Sequence, residues 1–320
     1  MVGMGYRTIK TAIGAGLAIW ITSLFDLEFG SFAAIIVIMC IEKTKRKTLI
    51  SIQKKFFASL LSLILGSLCF EILGYHPLVL TLFILLLVPI LMKARIQEGF
   101  VTSIVVIMHI YTVKEANLAN LLNELYIIFI GIGIALLVNS IMPSLKKEIE
   151  KYKMEIENKF SVILYQFSAL LKDSEKKWDG KELLEAENIL NNAKNITIQD
   201  VENHLLRKEN KDYYYFEMRE DQLGILKQMV TILDIVSSSE LDVKQKGMLA
   251  NIFLNISQHV DSGDTTVALK LLEEYEESIR ETELPETREE FEVRANLFYL
   301  NFEIKNYLII KKNIFNRSKN

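Results

Sequence analysis

The chain has 320 residues, half of them apolar and 24% charged, with a formal net charge of −3. Two cysteines are too few for a disulfide framework or a cysteine-based zinc site, and the near-neutral charge without a basic stripe argues against nucleic acid as the main partner. A mean hydropathy of +0.22 is high for so much Lys and Glu, so the average conceals two unlike parts.

Residues 1–145 carry a net +4 and nearly all the long apolar runs, whereas residues 146–320 carry −7. This predicts a membrane domain over 1–145 and a soluble domain over 146–320. No small-x-small cleavage site follows the first apolar run, so that run reads as a retained span.

Six apolar segments can be drawn, at about 8–25, 29–41, 56–74, 78–93, 99–113 and 122–142 (a straight span needs ~20 residues). The second and fifth are short and require an extension or a broken, shielded helix. The segments between them alternate in base content. Arg7 and Lys10 precede the first span, and Asp26 and Glu28 follow it. Lys43, Lys45, Arg46, Lys47, Lys54 and Lys55 then stand against Glu42. Glu71 and His76 come without a base. Lys93 and Arg95 stand against Glu98, then Lys114 against Glu115 and Glu124. The chain leaves through Pro143 into Lys146 and Lys147. The positive-inside rule puts both termini in the cytoplasm. Cys40 and Cys69 then fall at opposite faces and are not expected to pair.

From Ser144 onward the pattern is amphipathic helix. Ile149, Tyr152, Ile156, Phe160, Ile163, Phe167 and Leu170 form one stripe. Trp178-Asp179-Gly180 breaks it. Further helices are expected over 181–206, 212–236 (ending in Ser237-Ser238-Ser239) and 242–260 (stopping at Ser262-Gly263). Another runs from an Asp264 cap to near Pro285. The last opens on Thr287-Arg288-Glu289-Glu290, which has the form of a capping box. The expected fold class is all-α: a six-span membrane domain followed by a cytoplasmic antiparallel helical bundle.

No enzyme signature is present. There is no Walker A sequence and no G-x-S-x-G elbow. His76, His109, His204 and His259 have no ligand spacing, so neither a metal nor a cofactor is expected. Gly14-Ala15-Gly16 lies in a span and reads as a helix-packing feature. The sequons at Asn195 and Asn255 carry no meaning on the cytoplasmic side.

Several residues have two readings. His109, an ionisable group inside a span, suits proton coupling or is a neutral packing residue. Lys43, Thr44, Lys45, Arg46 and Lys47 form either an anion funnel or a topology signal touching anionic lipid. Lys93, Arg95 and Glu98 lead into a short fifth span, whose N-terminal dipole could hold an anion; otherwise they form an ordinary loop. Asn139 is interhelical glue or a substrate contact. Tyr213 to Phe216 is core, or the part of the run that must turn outward contacts a partner.

Four stretches resemble the aromatic acid exporter family. Ile41 to Leu49 is similar to its I-Q-D-T-K-K-x-S-L segment, with Glu-Lys before Thr44 where the family has Gln-Asp. Glu98-Gly99 through Ser103 to His109 is similar to a second. Asn123-Glu124-Leu125, Gly131, Asn139 and Met142-Pro143 are similar to the last span. Tyr214 to Leu226, with Met218-Arg219 and Gln222, resembles the M-R-x-x-Q helix of the C-terminal domain. Lys55 and Ser59 stand where the family has a basic residue and Thr. The wider superfamily includes fusaric-acid-resistance-type efflux proteins and plant malate channels, which are dimers with basic pore linings.

The resemblance implies a dimeric inner-membrane exporter of aromatic or other organic carboxylate anions. Its path residues would be Lys43, Thr44, Lys45, Arg46, Lys93, Arg95, Glu98, His109 and Asn139. The expected partners are the lipid bilayer, small organic anions, a second copy and a cytoplasmic partner of the C-terminal domain. The lack of a mid-membrane carboxylate favours uncoupled, potential-driven exit. Two other readings stand beside it: a non-transporting scaffold anchoring the acidic helical domain, and an anion channel gated by that domain.

Overall fold

The computed structural model describes residues 5–173, 175–204, 211–238, 243–262 and 264–319. Among them are twelve α-helices and no strand. Three expected landmarks, Leu206, Ser239 and Gly263, lie outside the described residues. Contacts divide the chain into two compact units: Met1–Pro143 with Glu202–Leu206, and Ser144–Val201 with Arg207–Asn320.

In the first unit every expected apolar segment is helical. The helices are α1 Tyr6–Leu24, α2 Phe32–Cys40, α3 Lys45–Leu73, α4 Pro77–Lys93, α5 Phe100–Val113 and α6 Leu118–Ser140. By length and composition α3 and α6 can each cross a membrane, while α4 and the α5 segment are apolar but shorter. The nine residues of α2 rise only about 14 Å.

Two helix starts differ from the sequence expectation, and capping is the reason. Thr44 Oγ1 accepts from Lys47 N at 3.3 Å and starts α3 at Lys45. Lys54 and Lys55, expected in a loop, are therefore helical. Asn117 Oδ1 accepts from Asn120 N at 2.9 Å and starts α6 at Leu118. Glu124, counted with the charges of the preceding loop although it falls at the start of the sixth segment, lies in the second turn of α6.

Helices α1, α2 and α6 pack on one another, and α3 runs along α5 and touches α6. Helix α4 adds Phe83, Leu87 and Leu91 to this core. A Cβ on Gly14 would come within 2.9 Å of Val37, which fits the packing role expected there; Gly16 has open space around it.

The polarity of α3 is reversed from that of a soluble helix. Thr48, Ser51, Lys55, Ser59, Ser62 and Ser67 are buried, while Phe57, Ile64, Leu68 and Ile72 are each more than half exposed. Trp20, Leu78, Leu85, Phe129 and Leu137 extend the exposed apolar surface over the other helices. Water does not tolerate apolar patches of this extent, whereas hydrocarbon does, because each helix satisfies its own backbone.

The second unit holds α7 Lys146–Lys172, α8 Lys181–Asn203, α9 Lys211–Ser238, α10 Val243–Gln258, α11 Thr266–Arg280 and α12 Arg288–Lys319. They surround one apolar core. Ile149, Ile156, Phe160, Ile163 and Phe167 of the expected stripe are buried; Leu164 and Leu171 complete the buried face in place of Leu170. Gly180, at φ +71°, turns the chain into α8. Asp264 Oδ1 accepts from Thr266 N at 2.9 Å ahead of α11. Thr287 Oγ1 accepts from Glu290 N at 3.2 Å, and the Glu290 carboxylate returns to Glu286 N at 2.8 Å. That return bond lies one residue upstream of the standard capping-box position.

Candidate functional site

Three polar groupings lie inside the first unit. The first joins α1, α6 and α3. Lys10 Nζ donates to Asn139 Oδ1 at 2.7 Å, and Asn139 Nδ2 donates to Thr48 Oγ1 at 2.6 Å. Thr48 Oγ1 also accepts from the Glu42 amide at 2.9 Å. Lys10, Thr48 and Asn139 are all buried. Arg7 Nε donates to the Ile41 carbonyl at 3.1 Å beside them. One carboxamide thus ties three helices, using its oxygen and its nitrogen at once.

The second follows the buried face of α3. Lys55 Nζ donates to the Met39 carbonyl at 2.6 Å and to Ser51 Oγ. No carboxylate lies within ion-pair distance of it among the described residues. Ser59 and Ser62 continue the face, and Ser62 Oγ donates to the Ser103 carbonyl at 3.2 Å. Thr102 and Ser103 of α5 are buried opposite. The side-chain oxygens of Ser103 and Ser67 are buried without a partner. Gly99 permits this closeness of α3 and α5: a Cβ there would overlap Ala58 and come within 2.9 Å of the Lys54 carbonyl.

The third pairs α5 with α6. His109 Nδ1 lies 3.1 and 3.0 Å from the two carboxylate oxygens of Glu124, which is 2% exposed. Phe29 stacks on the imidazole with centroids 4.3 Å apart, and Phe32 meets it edge-on at 5.2 Å. The loop carrying Phe29 is strained, with Asp26 and Phe29 both at positive φ. Asn123 of α6 holds that loop by two bonds of 3.0 Å to the Glu28 backbone.

The residues expected along a path divide accordingly. His109 and Asn139 belong to these groupings. Thr44 is buried as the cap of α3. Lys45 is half-buried, and Lys43, Arg46, Lys93 and Arg95 are exposed. Lys43, Arg46, Lys93 and Arg95 form no ion pair among the described residues. Glu98 pairs with Lys54. Sequence reasoning leaves Lys10, Lys55, Glu124 and the buried hydroxyls off the path, although the family resemblance touches Lys55, Ser59 and Glu124. A signal for Glu124 exists, since Asn117 ahead of an apolar run is a cap that moves Glu124 into the helix.

In the second unit Arg219 is fully buried. Its Nε donates to Tyr215 Oη at 3.1 Å, its Nη1 to Gln222 Oε1 at 3.0 Å, and its Nη2 to Glu157 Oε1 at 3.3 Å and the Val260 carbonyl at 3.1 Å. Gln222 Nε2 donates to the Tyr307 carbonyl at 3.1 Å, and Tyr215 Oη to Glu157 Oε1 at 2.6 Å. Burial pushes the Tyr307 phenol up to about 12. Lys311 Nζ donates to the His259 carbonyl. Burial, reinforced by the nearby Arg219 charge, pulls the Lys311 amine down to about 8.

These features define an all-helical protein of two units, the first with an apolar exterior and two helices long and apolar enough to cross a membrane. The chain belongs to the aromatic acid exporter family. Residues 2–142 match "Aromatic acid exporter family member 1", and residues 146–312 match "Putative aromatic acid exporter C-terminal domain". It is also 40% identical, over 312 residues, to a Bacillus subtilis (strain 168) protein described as "Uncharacterized protein YqjA"; the match covers 97% of this chain and 96% of that one.

Proposed function

We propose that the protein exports small organic carboxylates, aromatic acids among them, across the plasma (inner) membrane. In this reading α1 to α6 are six spans, both termini are cytoplasmic, and two copies form the working unit. The alternation of basic and non-basic loops supports the topology.

The observation that carries the reading is the reversed polarity of α3. A helix with apolar residues outward and a lysine plus a row of hydroxyls inward suits an anion route shielded from lipid. A membrane anchor for a soluble domain has no use for such an interior. Lys43, Lys45, Arg46, Lys93 and Arg95, largely exposed, would concentrate anions at the cytoplasmic side. The Lys10–Asn139–Thr48 network closes the same side.

Glu124, in the second turn of α6, stands against His109 and adds a carboxylate to the interior that the preference for uncoupled exit did not weigh. A buried carboxylate–imidazole pair supports a proton-linked step near the other side.

The test is efflux of labelled 4-hydroxybenzoate from proteoliposomes holding the full-length protein, with and without an imposed potential. Efflux that falls when Lys45 and Arg95 are neutralised supports the reading. Efflux no faster than from empty liposomes, for that acid and a panel of others, overturns it.

A further inference from the structure

Lys55 is an ammonium buried to 7% exposure, with no carboxylate within ion-pair distance among the described residues. A buried charge is ordinarily paired, because desolvation is otherwise uncompensated. Its two acceptors are a serine hydroxyl and the backbone carbonyl of Met39. That carbonyl lies in the last turn of α2. The helix ends at Cys40 and Ile41 is extended, so Met39 has no amide a turn further on to accept from. Lys55 thus neutralises the negative end of a half-length helix with one of its three N–H groups and gives a second to Ser51.

Polar side chains continue from it along the seam between α3 and α5. Ser51, Lys55, Ser59 and Ser62 follow one face of α3. Ser103 faces that seam from α5, fully buried, and its Oγ has no partner. An ammonium with spare donor capacity and a buried, unengaged hydroxyl are both suited to one kind of guest, an anion that accepts several hydrogen bonds. A carboxylate does so, whereas a neutral alcohol accepts fewer and brings no charge.

We propose that Lys55 is the residue that receives the carboxylate of the exported acid. In the structure the Met39 carbonyl occupies the ammonium. On loading, the substrate carboxylate replaces that carbonyl beside Ser51, and the Ser59 and Ser103 hydroxyls, further along the seam, face the rest of the acid. No covalent bond changes. Release of Met39 frees the end of α2, so loading is tied to movement of that short helix. The proposal rests on the exporter reading and assigns its binding atom.

The test is equilibrium binding of labelled 4-hydroxybenzoate to the full-length protein in nanodiscs, with proteoliposome efflux measured in parallel. We expect Lys55→Met to weaken binding about tenfold or more, Lys55→Arg to keep most of it, and Ser103→Ala to weaken it about threefold. 4-Hydroxybenzyl alcohol, the neutral counterpart, should not displace the label from wild type. Displacement by chloride as effective as by benzoate would show a general anion site and overturn the carboxylate assignment. Should Lys55→Met fail to fold, Lys55→Arg, Ser103→Ala and the competition series decide. Wild-type binding and efflux with both variants unaffected would overturn the proposal and leave export standing. Wild type that neither binds nor exports any acid would overturn the export reading, and this proposal with it.

Discussion

Glu124 and His109 meet across α5 and α6, with the imidazole Nδ1 almost equidistant from both carboxylate oxygens. Glu124→Gln keeps an acceptor for the ring and removes the charge. We expect this variant to remain folded and to export more slowly than wild type. Efflux rates of wild type and variant, normalised to reconstituted protein, check it. An unchanged rate would remove the pair from the transport cycle.

Asn139 holds Lys10 and Thr48 together. Asn139→Leu leaves a buried ammonium and a hydroxyl without their shared partner. The expected loss of stability is about 2–4 kcal/mol. Asn139→Asp should lose less, because it gives Lys10 an opposite charge. Thermal unfolding of both variants in detergent orders them.

Arg219→Met should destabilise the C-terminal unit by about 3–5 kcal/mol, since Glu157 stays behind without its guanidinium. Lysine should not rescue it. One ammonium cannot reach Tyr215, Gln222, Glu157 and Val260 in the fork geometry that Arg219 uses. Chemical denaturation followed at Trp178, in a Trp20→Phe background, measures both.

The Lys311 amine falls to about 8 in the folded protein from an ordinary 10.5. Below pH 8 it is charged in both states, and burial opposes the fold. Above that the folded form gives up its proton while the unfolded chain keeps one. The unfolded state then binds more protons, so stability rises with pH from about 8 toward 10. Beyond 10 the trend reverses, because unfolded tyrosines ionise while Tyr307 holds its proton to about 12. The Trp178 melting temperature should climb over the first window in wild type and stay flat in Lys311→Met.

Much of this molecule is legible in its sequence. Every expected apolar segment is helical, and the stripe from Ile149 to Phe167 is buried as its spacing predicts. The failures have one physical origin. Lys10, Lys55 and Glu124 look like loop charges as long as charge is a mark of water. In a protein whose outside is apolar, charge marks the inside instead. Thr44 and Asn117, both standard N-cap residues, carried the information needed to place Lys55 and Glu124 within helices. The Ser62–Ser103 contact and the Met39 carbonyl could not be read at all, because they depend on how closely α3 approaches α5 and α2. Of the basic cluster, Thr44 was singled out for its neighbours, and its role is to begin a helix.

The brevity of α2 bears on how the protein is made. In the proposed bilayer setting neither α2 nor α3 can settle alone. The nine residues of α2 end short of one face, leaving a bare carbonyl in hydrocarbon, and α3 would arrive with an unshielded lysine. Each supplies what the other lacks. During synthesis the two should therefore leave the insertion machinery as one hairpin, and a ribosome stalled between them should leave α2 outside the lipid.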